Sequence, residues 1–179
     1  MFDPKTDPSL RNQILTYLAT EMMTDRERAR ALGLPDGCRV RERAKILAPE
    51  KLVLGKDVWI GEGAMLDAQG GLWIGDNTQI GLNALIWSHT SHLQAILGKT
   101  GSANKDGIQY KETRIGRNCF IGSMAVIAPG LTIGNRAIIS PLTFVERDVA
   151  DGEVVNGQAQ LRELVDRVAK LERLLAEKG

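Results

Sequence analysis

Residues 113–139 read TRIGRNCFIGSMAVIAPGLTIGNRAII, and isoleucine returns at every sixth position: Ile115, Ile121, Ile127, Ile133 and Ile139. The beat continues forward to Val145 and backward through Ile86, Ile80, Ile74, Leu66, Ile60 and Leu54 toward Leu34. A glycine follows the aliphatic at Gly55, Gly61, Gly75, Gly81, Gly116, Gly122 and Gly134. Four places after each aliphatic stands a compact residue, such as Val58, Ala64, Thr78, Ala84, Cys119, Ala125, Ala137 or Thr143. A helix would repeat its apolar positions every three to four residues and a simple strand every second one. A period of six needs a short strand plus a turn, rebuilt identically each time. The aliphatic points into a narrow core, the glycine allows close backbone approach or an unusual turn, and the compact residue fits a corner.

Three hexapeptides make one triangular coil, and stacked coils bury a continuous column of Ile, Leu and Val. The departures from the beat fall in one register. Leu52-Val53 and Leu72-Trp73 are extra pairs before Leu54-Gly55 and Ile74-Gly75, and 29 residues separate Ile86 from Ile115 at the same corner of the next coil. This phasing predicts an all-β core of about five coils over residues 34–157, interrupted by a loop insertion at 87–114.

The strings at 74–86 (IGDNTQIGLNALI) and 113–139 resemble the hexapeptide-repeat acyltransferases, most of all the maltose and galactoside O-acetyltransferase branch. The resemblance implies a left-handed parallel β-helix, since the spacing itself fixes no hand. It also implies a homotrimer with its site at the subunit interface, acetyl-CoA as acyl donor, and a sugar or saccharide hydroxyl as acceptor.

The formal charge of +1 offers no general attraction for nucleic acid. No run is long and apolar enough to span a membrane, and MFDPKTDPSL lacks the apolar core of a signal peptide, so a cytoplasmic protein is expected. Cys38 and Cys119 both take the compact corner slot, which predicts unpaired core thiols. Residues 1–33 read as a helical cap on the open end of the column. Leu10, Ile14, Leu15 and Leu18 line a first helix, and Thr24 with Glu27 makes a capping box for a second. Residues 158–179 read as an amphipathic helix whose Leu161, Leu164, Val168, Leu171 and Leu175 step by the heptad alternation. That seam fits either a helix lying along the β-helix wall or a self-associating coiled coil.

The chain has two histidines, His89 and His92, both at the start of the insertion in IWSHTSHL. An alcohol attacking a thioester must lose a proton, and imidazole is matched to that task near neutral pH. The resemblance favours His92 as the base, with His89 as its orienting partner or as the alternative base. It also assigns Asn83 to the acceptor, Gly122 and Ser123 to the thioester end through backbone N–H donors, and Arg147 to the phosphates of the coenzyme. Trp87 is placed to stack on acceptor or pantetheine, and Lys99 and Lys105 lie in the loop. Three departures from the family pattern stand out: Pro141, which has no N–H, Gln160 where a basic residue is usual, and a long charged helix in place of a short tail. Two histidines are one short of the three that a zinc hydratase on this fold requires, so no metal is expected. Transfer to an amine of a nucleotide-linked amino sugar, or a non-catalytic assembly role, are the alternatives to sugar O-acetylation.

Overall fold

The computed structural model describes residues 22–100 and 105–176. The first expected helix, lined by Leu10, Ile14, Leu15 and Leu18, lies outside that range.

Each hexapeptide becomes one strand of two or three residues, and strands one coil apart pair in parallel. Three faces result. The first stacks Arg39–Val40, Trp59–Ile60, Gln79–Ile80, Phe120–Ile121, Ile138–Ile139 and Val154–Val155. The second stacks Lys45–Leu47, Met65–Asp67, Leu85–Ile86, Val126–Ile127 and Phe144–Val145. The third stacks Leu52–Leu54, Leu72–Ile74, Thr113–Ile115 and Thr132–Ile133, extended by a bridge from Ile133 to Val149. The registers place like on like, with Ile80 against Ile121 and Ile121 against Ile139. This is a left-handed parallel β-helix, of five full coils and the opening strand of a sixth.

The beat residues from Ile60 to Val145 are all buried, and so are the compact corner residues four places on. The extra pairs and the insertion do share one corner, between the second and third faces. The glycine after each aliphatic serves close approach and not an unusual turn: a Cβ on Gly75 would stand 2.7 Å from the Arg117 backbone nitrogen in the next coil. The left-handed turn is made two residues later, by Asp57, Asn77, Asn83, Asn118, Met124, Arg136 and Leu142 at φ between 53° and 59°.

Helix α1 (Asp25–Ala31) opens with the capping box expected at Thr24 and Glu27. Its Ala29 joins the core cluster, and its buried Arg28 donates from Nη1 to the Val40 carbonyl at 2.6 Å, so the helix sits on the first coil. Both cysteines are free and buried. Burial raises both thiols above their ordinary range. Helix α3 (Gly157–Ala176) forms where an amphipathic helix is expected, but its apolar side chains do not lie on the wall. Leu161, Leu164, Val165, Val168, Leu171, Leu174 and Leu175 are all exposed.

Candidate active site

The insertion leaves the second face as a short antiparallel hairpin, His89–Thr90 against Gln109–Tyr110. Its base is stitched to the column. Lys111 N–H donates to the Ser88 carbonyl (2.8 Å), the Thr113 hydroxyl donates to the Trp87 carbonyl (2.6 Å), and Gly130 N–H donates to Thr113 Oγ1 (2.9 Å). Rigid strands therefore fix the backbone on both sides of the first histidine. Between them, at the tip, lies helix α2 (His92–Ile96).

Beneath this hairpin the structure places a residue that sequence reasoning missed. Asp67 ends its strand one coil earlier, follows the inward-facing Leu66, and is fully buried. Its Oδ2 lies 2.6 Å from His89 Nδ1 and also accepts from Ser88 N–H (2.8 Å) and Ser88 Oγ (3.2 Å). Its Oδ1 accepts from Gln69 N–H at 3.1 Å. The Ser88 hydroxyl in turn accepts from Gly70 N–H at 2.8 Å. Burial alone would push the Asp67 carboxyl upward, but His89 and the backbone donors of Ser88 and Gln69 outweigh it, holding the group below its ordinary value. A carboxylate only accepts, so His89 donates to it from Nδ1–H, and in the neutral ring that tautomer puts the lone pair on Nε2. Tyr110 stacks on the imidazole with centroids 6.0 Å apart, and Trp87 meets it edge-on at 6.2 Å. Lys51 stands over Tyr110 at 5.9 Å.

His92 is placed differently. It is exposed, begins α2, and meets the Thr90 hydroxyl through Nδ1 at 3.0 Å. The two histidines expected to act as a pair thus have separate partners.

The remaining candidates divide between two corners of the prism. Trp87 and Arg147 follow strands of the second face, as His89 does, and lie at the corner leading to the third. Arg147 is held by Glu153, with Nη2 to Oε1 at 2.6 Å, and donates to the Asp148 carbonyl at 2.9 Å. Asn83, Gly122 and Ser123 lie at the corner between the first and second faces. Asn83 makes the left-handed turn there at φ 53°. Met124 N–H donates to Leu82 and Ala125 N–H to Gly122, while among the described residues Ser123 N–H has no backbone acceptor. Pro141 stacks over Gly122 in the following coil. One protomer therefore does not bring Ser123 to His89. Lys99, in the insertion, faces Asp106 at 3.5 Å.

Residues 112–147 match the family described as bacterial transferase hexapeptide (six repeats). The chain carries hexapeptide repeats of that kind over these residues. It is similar in structure to a maltose O-acetyltransferase from Clostridium difficile 630, with TM-score 0.67, 20% identity, and coverage of 87% of this chain and 85% of that one. At that identity the likeness is one of fold. A galactoside acetyltransferase in complex with coenzyme A is 25% identical, with TM-score 0.52 over 86% of this chain and 78% of that one. In sequence, the hexapeptide-repeat protein is 28% identical over 156 residues to the bifunctional protein GlmU of Ruegeria sp. (strain TM1040), covering 83% of this chain. It spans about a third or less of the length of the curated relatives it matches first.

Proposed function

We propose that this hexapeptide-repeat protein is an acyltransferase that moves acetyl from acetyl-CoA directly to a sugar or saccharide hydroxyl, with His89 as general base. The observation that carries the reading is the 2.6 Å contact between His89 Nδ1 and the buried Asp67 carboxylate. It selects the tautomer in which a neutral ring is free to accept at Nε2, orients the ring, and supplies a counter-charge when the imidazole becomes a cation. His92, preferred on the resemblance alone, has an exposed ring and, among the described residues, a hydroxyl as its partner, so it is assigned to acceptor contact and not to proton transfer.

In the reaction, the acceptor O–H gives its proton to His89 Nε2 as the oxygen bonds to the thioester carbon. The tetrahedral oxyanion collapses, the C–S bond breaks, and the imidazolium returns the proton to the departing thiolate. Donation from Ser123 N–H, free of a backbone partner, suits the oxyanion. Because Ser123 and His89 lie on different corners, that donor comes from Ser123 of a neighbouring subunit, with Gly122 letting the thioester approach the backbone. Asn83 accompanies it on the acceptor side, and Trp87 flanks the acceptor from the His89 corner. The Asn83–Ser123 corner also exposes Leu82, Met124 and Leu142, an apolar rim suited to contact with another copy in a homotrimer. Arg147 reaches the coenzyme phosphates by exchanging Glu153 for them. The 25% identical galactoside enzyme with coenzyme A bound supports the donor.

A thiol-release assay with acetyl-CoA against a panel of sugars and amino sugars tests this reading. His89→Ala abolishes turnover, whereas His92→Ala raises KM for the acceptor and leaves most of kcat. Full activity in His89→Ala overturns the assignment, and turnover only with amines replaces the hydroxyl acceptor.

A further inference from the structure

Helix α3 follows the last strand of the first face after one residue, and its first amide, Gly157 N–H, reaches the Thr143 hydroxyl at 3.4 Å. Beyond that root its large apolar side chains Leu161, Leu164, Val165, Val168, Leu171, Leu174 and Leu175 are left exposed by the described residues. An isolated helix of about this length is marginal in water, so a partner for that face is needed. The pattern says which partner. With Leu161, Val168 and Leu175 at the first core position of the heptad (a) and Leu164 and Leu171 at the second (d), the flanking positions hold Val165 and Glu172 on one side and Arg167 and Leu174 on the other. In a parallel, in-register bundle each Arg167 lies opposite Glu172 of the adjacent copy, five residues further along, at the spacing used for interhelical ion pairs. Among the described residues neither is held in an ion pair by its own chain. Val165 and Leu174 widen the apolar stripe beyond a two-stranded seam, and a third helix covers them.

We propose that α3 is a self-recognition element: three copies of the chain join through it as a parallel three-stranded coiled coil, its register set by Arg167–Glu172 pairs between copies. The bundle holds three prisms with their first strands facing the same way, which presents the His89 corner of one copy to the Ser123 corner of the next. Only that last consequence touches the proposed reaction. The bundle itself stands or falls without it.

The test uses the full chain carrying Leu171→Cys, a core position near the free end, with Lys170→Cys as an outward control. Mild oxidation is expected to give a covalent dimer for Leu171→Cys and several-fold less for Lys170→Cys. An antiparallel bundle centred on Val168 sets Leu171 opposite Val165 and does not cross-link. In that background Arg167→Glu and Glu172→Arg each lower the yield several-fold, and the two together restore it. Sedimentation equilibrium of the wild type gives a three-chain mass. Absence of the Leu171→Cys cross-link, failure of the double charge exchange to restore it, or a one- or two-chain mass overturns the proposal. None of these readouts depends on acyl transfer, so loss of activity alone leaves them intact.

Discussion

Asp67 and His89 are 22 residues apart in sequence and 2.6 Å apart in space, because one coil of the prism returns the chain to the same corner. The carboxylate is fully buried, yet it accepts from two backbone amides, a hydroxyl and a ring nitrogen. Coil spacing, hairpin and buried acid together hold an imidazole that neither histidine's local sequence would orient.

Replacing that acid without changing its shape separates orientation from folding. Asp67→Asn has a single oxygen: at the Oδ2 position it keeps the Ser88 contacts and offers His89 a weaker acceptor while its N–H faces Gln69, and at the Oδ1 position it keeps Gln69 while its N–H faces Ser88 and His89. We expect kcat to fall about a hundredfold or more, within the range supplied by a positioned general base, while KM for acetyl-CoA changes little. Steady-state kinetics over pH 6–9 checks this, since a merely structural loss would lower the amount of active enzyme and leave the pH profile unmoved.

The same carboxylate makes stability depend on acid. Its folded-state pKa lies below the ordinary 3.8, so the unfolded chain takes up the proton first as pH falls. The stabilisation is complete well above 3.8 and is lost as pH drops through the lower folded value. Urea midpoints measured from pH 6 down to 2.5 should fall further for the wild type than for Asp67→Asn. Parallel curves would contradict the assignment.

Gly75 is a test of coil spacing. A methyl group there would lie 2.7 Å from the Arg117 backbone nitrogen and 2.8 Å from the Gly116 carbonyl carbon, neither of which moves without separating two coils. Gly75→Ala is expected to cost about 1–3 kcal/mol, the range for overpacking, visible as a lower urea midpoint. Gly33→Ala is no fair comparison for crowding, because that glycine meets nothing nearby but has φ +67°.

The exposed corner at Asn118 has φ 58°. Asn tolerates this left-handed turn, Gly adopts it freely, and Ala has a Cβ with no compensating polar group. Asn118→Ala should destabilise by about 1 kcal/mol, and Asn118→Gly by a few tenths. Equal effects in thermal melts would mean that the side chain, and not the backbone, sets the preference.

Much of this architecture was legible in advance because a period of six with one residue class per slot stacks as a triangular coil, with only its hand taken from the family resemblance. The extra pairs at Leu52-Val53 and Leu72-Trp73 even marked the corner from which the insertion leaves. The division of labour within a hexapeptide was not legible. Gly75 and Gly81 look like turn residues, yet the turn is made by the Asn, Asp, Met, Arg or Leu two places later. A faint signal existed in Asn77, Asn83 and Asn118, which share that slot. The site was half readable. Two histidines at the only large insertion pointed to the place, but the buried acid stands in MLDAQG, one coil away, in a slot that Leu47, Trp87 and Ala128 occupy elsewhere.

By itself the sequence determined the coil, its three faces, the location of the insertion and the heptad of the last helix, since each is a regular spacing of apolar residues and burial acts on spacing. Only the tertiary structure decided which histidine meets a carboxylate, that Ser123 occupies a different corner from His89, and that the described residues leave the apolar face of α3 uncovered. Those facts depend on where one coil lands upon another and on directions of individual side chains, and periodicity along a chain carries neither.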